Sequence, residues 1–338
     1  MSYRVAVVGA TGAVGHEMLE VLWQRRFPVR EIVALASARS AGKSVRFGDR
    51  ELPVEVLGRD SFRGVQVALF SPGASVSREF APLAAQAGAK VVDNTSAFRM
   101  DPDVPLVVPE VNGDEALACP RGIIANPNCS TIQMVVALDP LRKAAGLRRI
   151  VVSTYQAVAG AGQKAMEELQ QQMTAWASGA TQPAPKVFPH PILMECIPQI
   201  GDFLPDGDSV EEQKMVKETQ KIFGLPNLRV SATTVRVPVL IGHSESVNVE
   251  LERPLSAAEA RALLAEAPGV TLIDDPAARK YPLARLAAGT DPVYVGRVRR
   301  DPSVEHGLNL WVVSDNLRKG AALNAVQIAE HLAAAGAL

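Results

Sequence analysis

Apolar and polar positions in the first part of the chain fall into short apolar runs separated by stretches of helical spacing. Residues 4–8 form a nearly continuous apolar run, which predicts a buried strand. Gly9-Ala10-Thr11-Gly12-Ala13-Val14-Gly15 follows, and Val14, Met18, Leu19, Val21 and Leu22 then recur as on one helix face. Residues 31–36 and 65–70 predict two more strands, the latter closed by Ser71-Pro72-Gly73. Residues 77–87 read as a helix facing inward with Phe80, Leu83 and Ala84, and residues 90–93 as a strand. A short run, Ile123-Ile124-Ala125, leads through Asn126-Pro127-Asn128-Cys129-Ser130-Thr131-Ile132 into a helical pattern of Ile132, Val135, Val136 and Leu138. Strands alternating with helices predict a parallel sheet with right-handed crossovers, with ligands at the carboxyl ends of its strands.

From residue 149 the pattern changes. Residues 150–158 are β-branched and strand-like, and Ala159-Gly160-Ala161-Gly162 ends them. Helices are expected at 163–177, 211–223 and 256–265, with a loop of Gly, Pro and small residues at 178–189. Strands are expected at 228–239, 246–253, 270–273, 293–299 and 306–314, with Gly242-His243-Ser244 between the first two. Strands in succession without regular helices predict a mixed or antiparallel sheet. The alanine-rich stretch 317–338 reads as a helix returning to the first domain. The expected class is α/β: a Rossmann-like dinucleotide-binding domain over 1–128 plus 315–338, and an α+β catalytic domain with a mixed sheet over 129–314.

A chain of 338 residues has room for two domains of ordinary size. With 35 basic and 36 acidic side chains, its formal net charge is -1, which argues against nucleic acid or an anionic membrane as partner. No apolar run reaches the roughly 18 residues of a membrane span, and the amino terminus opens into a strand rather than a cleavable leader. The 3 cysteines, Cys119, Cys129 and Cys196, are an odd number without metal-site spacing, as expected of reduced cytosolic thiols. Cys119 reads as structural or exposed, and Cys196, among Ile192, Leu193, Met194 and Ile197, as core. No metal is expected.

The glycine-rich turn stands between a strand and a helix, the context in which such glycines let backbone N–H groups approach a pyrophosphate at a helix start. A fold of this kind that takes NAD places a carboxylate at the end of the second strand. Here Ser37-Ala38-Arg39-Ser40 stands there, and a guanidinium beside a hydroxyl suits the 2′-phosphate of NADP. Cys129 reads as the first residue of a helix, with Asn128 or Ser130 as a candidate cap. Free N–H groups and the helix dipole favour a thiolate there and can hold an oxyanion on an attached carbon. A small buried cysteine behind a turn is the alternative. Arg99, in the loop Asn94-Thr95-Ser96-Ala97-Phe98-Arg99, is an anion ligand or a surface ion-pair partner.

The glycine turn at residues 9–15, the heptapeptide around Cys129, Gln156 ahead of Gly160-Ala161-Gly162, and Arg236-Val237-Pro238 ahead of Gly242-His243 together resemble aspartate-β-semialdehyde dehydrogenase, in order and spacing over nearly the whole chain. The resemblance implies NADPH-dependent reduction of L-aspartyl-4-phosphate to the semialdehyde, in the route to lysine, methionine and threonine. It implies a cytoplasmic homodimer or homotetramer whose second domain serves dimerisation. Cys129 is then the nucleophile, His243 the general acid/base, and Gln156 the residue that positions substrate at the thiol. Arg236 and Glu211 bind the amino-acid end; Arg99, Asn128 and Lys214 bind phosphate. Gly9, Thr11, Gly12, Ala13, Val14, Arg39, Ser40, Ala159, Gly160 and Asn316 contact the cofactor. Many members carry Ser where this chain has Ala159, which leaves that contact to the backbone.

The chemistry suits these residue types. A thiolate splits acyl transfer into two easier steps, and histidine titrates where a proton must move near neutrality. Arginine grips a carboxylate with two prongs where lysine has one. The nearest alternative, N-acetyl-γ-glutamyl-phosphate reductase, has Asn-Pro-Gly-Cys-Tyr at its cysteine, against Asn128 and Ser130 here. A glyceraldehyde-phosphate-type enzyme lacks its Ser-Cys-Thr-Thr motif here. A non-catalytic nucleotide sensor has no use for Cys129, Gln156, Arg236 and His243 in one chain.

Overall fold

The computed structural model describes residues 2–338 and forms two compact units, Met1–Asn128 with Gly320–Leu338, and Cys129–Lys319. In the first, β1 (Tyr3–Val8), α1 (Ala13–Gln24), β2 (Val29–Ala36), β3 (Ser44–Phe47), β4 (Arg50–Val56), β5 (Val67–Phe70), α2 (Ala74–Gln86), β6 (Lys90–Asp93), the short α3 (Pro109–Asn112) and β7 (Ile123–Ala125) build a seven-stranded sheet in the order β3-β4-β2-β1-β5-β6-β7. All pairs are parallel except β3 with β4. Strands covered on both faces need no alternation, and Val5, Val7, Val67 and Leu69 are fully buried. Met18, Leu19 and Leu22 of α1 close one side of the core together with Val326, Ile328, Ala329 and Leu332 of the chain's last helix, α9 (Leu323–Ala334). Arg25 joins these two helices through a two-pronged ion pair with Glu330, at 2.8 and 2.7 Å.

The β3–β4 hairpin is not among the elements expected from the sequence. Only two of its residues, Val45 and Phe47, supply the inward parity of β3, and Gly48 makes its turn at φ 62°. The hairpin is fixed from outside, by Trp23 of α1 lying edge-on to Phe47. The second helix begins at Ala74, ahead of the expected Ser77, directly after the Gly73 turn.

The second unit holds α4 (Cys129–Ala145), β8 (Leu147–Gln156), α5 (Gln163–Ser178), α6 (Val210–Phe223), β9 (Arg229–Arg236), β10 (His243–Leu251), α7 (Ala257–Ala265), β11 (Val270–Leu272), the short α8 (Ala284–Ala287), β12 (Val293–Asp301) and β13 (Gly307–Ser314). Its six strands run β11-β12-β13-β10-β8-β9. The β8/β9 and β11/β12 pairs are parallel and the others antiparallel, so the sheet is mixed. The return to the first unit comes at Gly320 because the residues before it bond within the second: Asn316 to Gly242, Asp315 to Gly289, and Arg318 to Asp291.

Strand register places side chains in rows across one face of this sheet. His243 lies level with Ser314 on β13, and Gln156 on β8 with Arg236 on β9. One row back, Glu245 faces Thr154 and Val312, and Thr154 faces Thr234. The next row, Ala232, Val152, Val247 and Leu310, is apolar. The face therefore passes from polar at the strand ends to hydrocarbon within two rows.

One expectation is corrected here. Cys196 is exposed rather than core. Its neighbours Ile192 and Ile197 are buried, but the segment is irregular, with Met194 at φ 64°, so apolar residues in sequence do not share a face. Cys119 is buried, its sulfur 3.4 Å from Nζ of Lys90.

Candidate active site

In the first unit the glycine turn joins β1 to α1. Gly9 has φ 85°, and a Cβ there would stand 2.9 Å from the carbonyl carbon of Ser71; at Gly15 a Cβ would stand 2.2 Å from the Gly9 carbonyl oxygen. Any side chain at either position would push the turn apart, so the glycines hold open a backbone cradle before the amino end of α1. A cavity lies beside it, lined by Gly9, Thr11, Gly12, Ser37, Ser71 and Pro72 among others, at the carboxyl ends of β1, β2 and β5. Thr11 and Ser40 approach hydroxyl to hydroxyl at 3.2 Å, and Ser40 is buried. Arg39 is exposed in the turn after β2, where no carboxylate stands. Ala13 and Val14 open α1. A backbone cradle without side chains, at a helix start, fits the pyrophosphate of a dinucleotide.

Arg99 is buried in the same unit. Its Nε donates to the carbonyl of Asn126 at 2.9 Å and its Nη2 to that of Asn94 at 2.9 Å. The Asn126 amide donates to Asn94 Oδ1 at 2.6 Å and accepts from Asn324 Nδ2 at 2.6 Å. The guanidinium thus braces the turn that ends in the buried Asn128, and two of its donors are committed to backbone.

Within the second unit, α4 opens at Cys129, whose side chain is half-buried. Ala157, just past β8, binds two side chains at once. Its N–H donates to Nδ1 of His243 at 3.0 Å, and its carbonyl accepts from Nη1 of Arg236 at 2.8 Å. Gln156, fully buried, has its amide nitrogen 3.4 Å from both Thr154 Oγ1 and Glu211 Oε1. Glu211 pairs with Lys214 at 3.1 Å along α6. That helix is anchored by a capping box, Ser209 with Glu212, of the kind that contributes about 1 kcal/mol. The other Glu212 oxygen accepts from the Thr234 amide at 2.8 Å and ties α6 to the edge of β9.

Gly160 is exposed beside these groups, and a Cβ there would stand 2.8 Å from Arg236 Nη1 and 3.2 Å from His243 Nε2. Ala159 is buried and bonds through its backbone N–H to Leu240. Asn316 accepts from the Gly242 amide at 3.0 Å, while its own Nδ2 is buried without a partner among the described residues, a donor left for a ligand.

The electrostatics follow from burial. His243 is completely buried, and burial, with the Arg236 charge, holds its imidazole well below the ordinary 6.5. With Nδ1 accepting a backbone N–H, the neutral ring carries its proton on Nε2. That Nε2 has no partner among the described residues, so it stands ready to donate to one. Burial also lowers Arg236, against the opposing pull of the negative charges on Cys129 and Glu211. The guanidinium therefore lies within electrostatic reach of the sulfur.

The second unit thus brings together Cys129, Gln156, Glu211, Lys214, Arg236 and His243, with Ala159, Gly160 and Asn316; the first holds the glycine turn, Arg39, Ser40, Arg99 and Asn128. Sequence reasoning overlooked Ala157, because a backbone donor leaves no side-chain signature. It also overlooked Glu245, although a charge at an inward position of a strand was a visible signal.

Residues 4–118 match the family described as semialdehyde dehydrogenase, NAD binding domain, and residues 138–319 its dimerisation domain. The chain is 54% identical to an aspartate-semialdehyde dehydrogenase of Aquifex aeolicus over 99% of both chains. Its fold overlays, with TM-score 0.95 and 48% identity over 99% of both chains, on the crystal structure of aspartate semialdehyde dehydrogenase II complexed with ASA from Vibrio cholerae. It also overlays, with TM-score 0.79 and 26% identity over 100% of both chains, on aspartate semialdehyde dehydrogenase with NADP from Candida albicans. Family match, identity along the full length and fold agree, and the chain belongs to the aspartate-semialdehyde dehydrogenase family.

Proposed function

We propose that the protein reduces L-aspartyl-4-phosphate to L-aspartate 4-semialdehyde and phosphate, reversibly, through a thioester on Cys129. The observation that carries this reading is the grouping of a helix-starting cysteine with a buried arginine and a histidine whose free nitrogen bears a proton. The start of α4 and the Arg236 guanidinium both favour the thiolate. The thiolate attacks the acyl carbon; the carbon–sulfur bond forms, the bond to the phosphate oxygen breaks, and phosphate leaves with the electron pair. Arg236, with Glu211 beside it, suits the carboxylate and ammonium of the amino-acid end. Arg99, Asn128 and Lys214 are the phosphate ligands of this reading, and Gln156 directs the substrate to the sulfur.

When bound, the reduced dinucleotide supplies the hydride that the thioester carbonyl must receive. The oxygen of that carbonyl then becomes an oxyanion, which the Nε2–H of His243 and the N–H groups at the start of α4 stabilise. Collapse of the adduct expels the thiolate and frees the aldehyde. The dinucleotide is NADP in this reading, held by Gly9, Thr11, Gly12, Ala13, Val14, Ser40, Ala159, Gly160 and Asn316, with Arg39 for the 2′-phosphate. Support comes from the missing carboxylate after β2 and from the NADP in the Candida albicans relative. The match to a dimerisation domain supports a homodimer, alone or paired into a tetramer, acting in the cytoplasm on the route to lysine, methionine and threonine.

The test is NADP+ reduction with L-aspartate semialdehyde in the presence and absence of phosphate. Phosphate-dependent turnover is expected. Turnover independent of phosphate, or preference for N-acetylglutamate semialdehyde, would overturn the reading.

A further inference from the structure

Glu245 is fully buried on β10, two residues beyond His243 on the same sheet face. It occupies the second row, between Thr154 and Val312, with the apolar row of Val152, Val247 and Leu310 directly behind it. A carboxyl group in such a row adds nothing to hydrophobic packing and loses its hydration, so its retention calls for a reason. No substrate-binding role reaches it, since the row ahead of it, with His243 and Gln156, stands at the strand ends.

The group that meets it comes from α4. Gln133 is one helical turn beyond Cys129 and on the same helix face, the face turned to the sheet. Its Oε1 accepts from Ser314 Oγ at 2.6 Å, on β13 level with His243. The Ser314 bond sets it beside the row of His243, one row from Glu245, whose carboxyl its side chain reaches. Neither Gln133 Nε2 nor either Glu245 oxygen completes a bond of ordinary geometry with any described group. Burial pushes the Glu245 carboxyl well above the usual carboxylate range, which favours its uncharged form.

We propose that Glu245 is a positioning residue for the nucleophile: through Gln133, itself clamped to Ser314, it fixes the first turn of α4 and with it the direction of the Cys129 side chain relative to His243. This rests on Cys129 being the nucleophile, as proposed above. A side chain that acts by geometry alone is replaced well by its neutral isostere and badly by an apolar residue that strands the Gln133 amide. Displacement of about 1 Å at a reacting atom costs on the order of 10²-fold.

The experiment compares Glu245→Gln, Glu245→Leu and Gln133→Leu with the parent enzyme. It records kcat and KM for L-aspartate semialdehyde, NADP+ binding, and the rate at which iodoacetamide labels Cys129. Glu245→Gln is expected to keep kcat within about threefold, whereas Glu245→Leu loses ten- to a hundredfold in kcat and in labelling rate with KM and NADP+ binding retained. Gln133→Leu is expected to cause the same loss without needing any change at Glu245. Should Glu245→Leu fail to fold, Gln133→Leu and Glu245→Gln carry the decision. Parental kcat and labelling rate in the leucine variants, or a Glu245→Gln loss as large as that of Gln133→Leu, would overturn the proposal. The parent enzyme tests the underlying reading separately: if labelling Cys129 leaves its turnover intact, the nucleophile is wrong, whatever Glu245 does.

Discussion

The amide N–H of Ala157 donates to Nδ1 of His243 at 3.0 Å. This bond decides which form of the histidine the site uses. An imidazolium would set its own Nδ1–H against the Ala157 N–H, so the bond selects the neutral ring with the proton on Nε2. Burial and the Arg236 charge act in the same direction. The expected role in the reductive direction is therefore donation from Nε2 to a developing oxyanion.

A pH consequence follows. The folded-state pKa of His243 is depressed below the ordinary 6.5, so the neutral ring persists as pH falls past that value. The acid limb of kcat due to His243 is expected below pH 6.5. Stability is expected to weaken in the same range, because the unfolded chain takes up a proton that the folded one refuses. His243→Asn should cost on the order of 10²- to 10⁴-fold in kcat and remove that limb. A limb centred at or above pH 6.5 and absent in the variant would contradict the tautomer argument. The checks are pH–rate profiles of both proteins and a thermal melt series across the same range.

Gly160 offers a probe of how closely Arg236 and His243 are held. An added Cβ would meet Arg236 Nη1 at 2.8 Å and His243 Nε2 at 3.2 Å. Because Gly160 is exposed and does not have positive φ, Gly160→Ala should leave the melting temperature within a few degrees of the parent. By displacing the guanidinium or the ring, it should lower kcat/KM by about tenfold or more. Steady-state kinetics beside a thermal melt checks this; full activity would mean that neither side chain is held against Gly160.

Cofactor choice is tested at Arg39, exposed after β2. Arg39→Asp should weaken NADPH binding by about tenfold or more while affecting NADH far less, because only the former carries the 2′-phosphate. Equal losses in titrations of both nucleotides would remove Arg39 from the phosphate site.

What the sequence disclosed and withheld has physical causes. The glycine turn and the Cys129 turn are local motifs, each dictated by neighbours in the chain, and the strand–turn–helix context of both was readable. The mixed sheet was readable because its strands carry apolar parity, as in Val247, Val249 and Leu251. The β3–β4 hairpin was not, since Trp23 fixes it across the sequence. Cys196 departs from the expected core position because apolar neighbours share no face in a segment without periodic backbone. The Ala157 bridge and the Gln133–Ser314 clamp depend on register between strands far apart in sequence, which no local pattern encodes.

The claim at the centre is that Cys129 carries the acyl group. The most direct measurement mixes enzyme with NADP+ and L-aspartate semialdehyde without phosphate, quenches in acid, and maps the adduct by mass spectrometry while counting NADPH formed. The account predicts a burst of about one NADPH per site and an aspartyl thioester on the peptide bearing Cys129, discharged by added phosphate. NADPH formation that continues in Cys129→Ala, or an acyl group on any other residue, would contradict it.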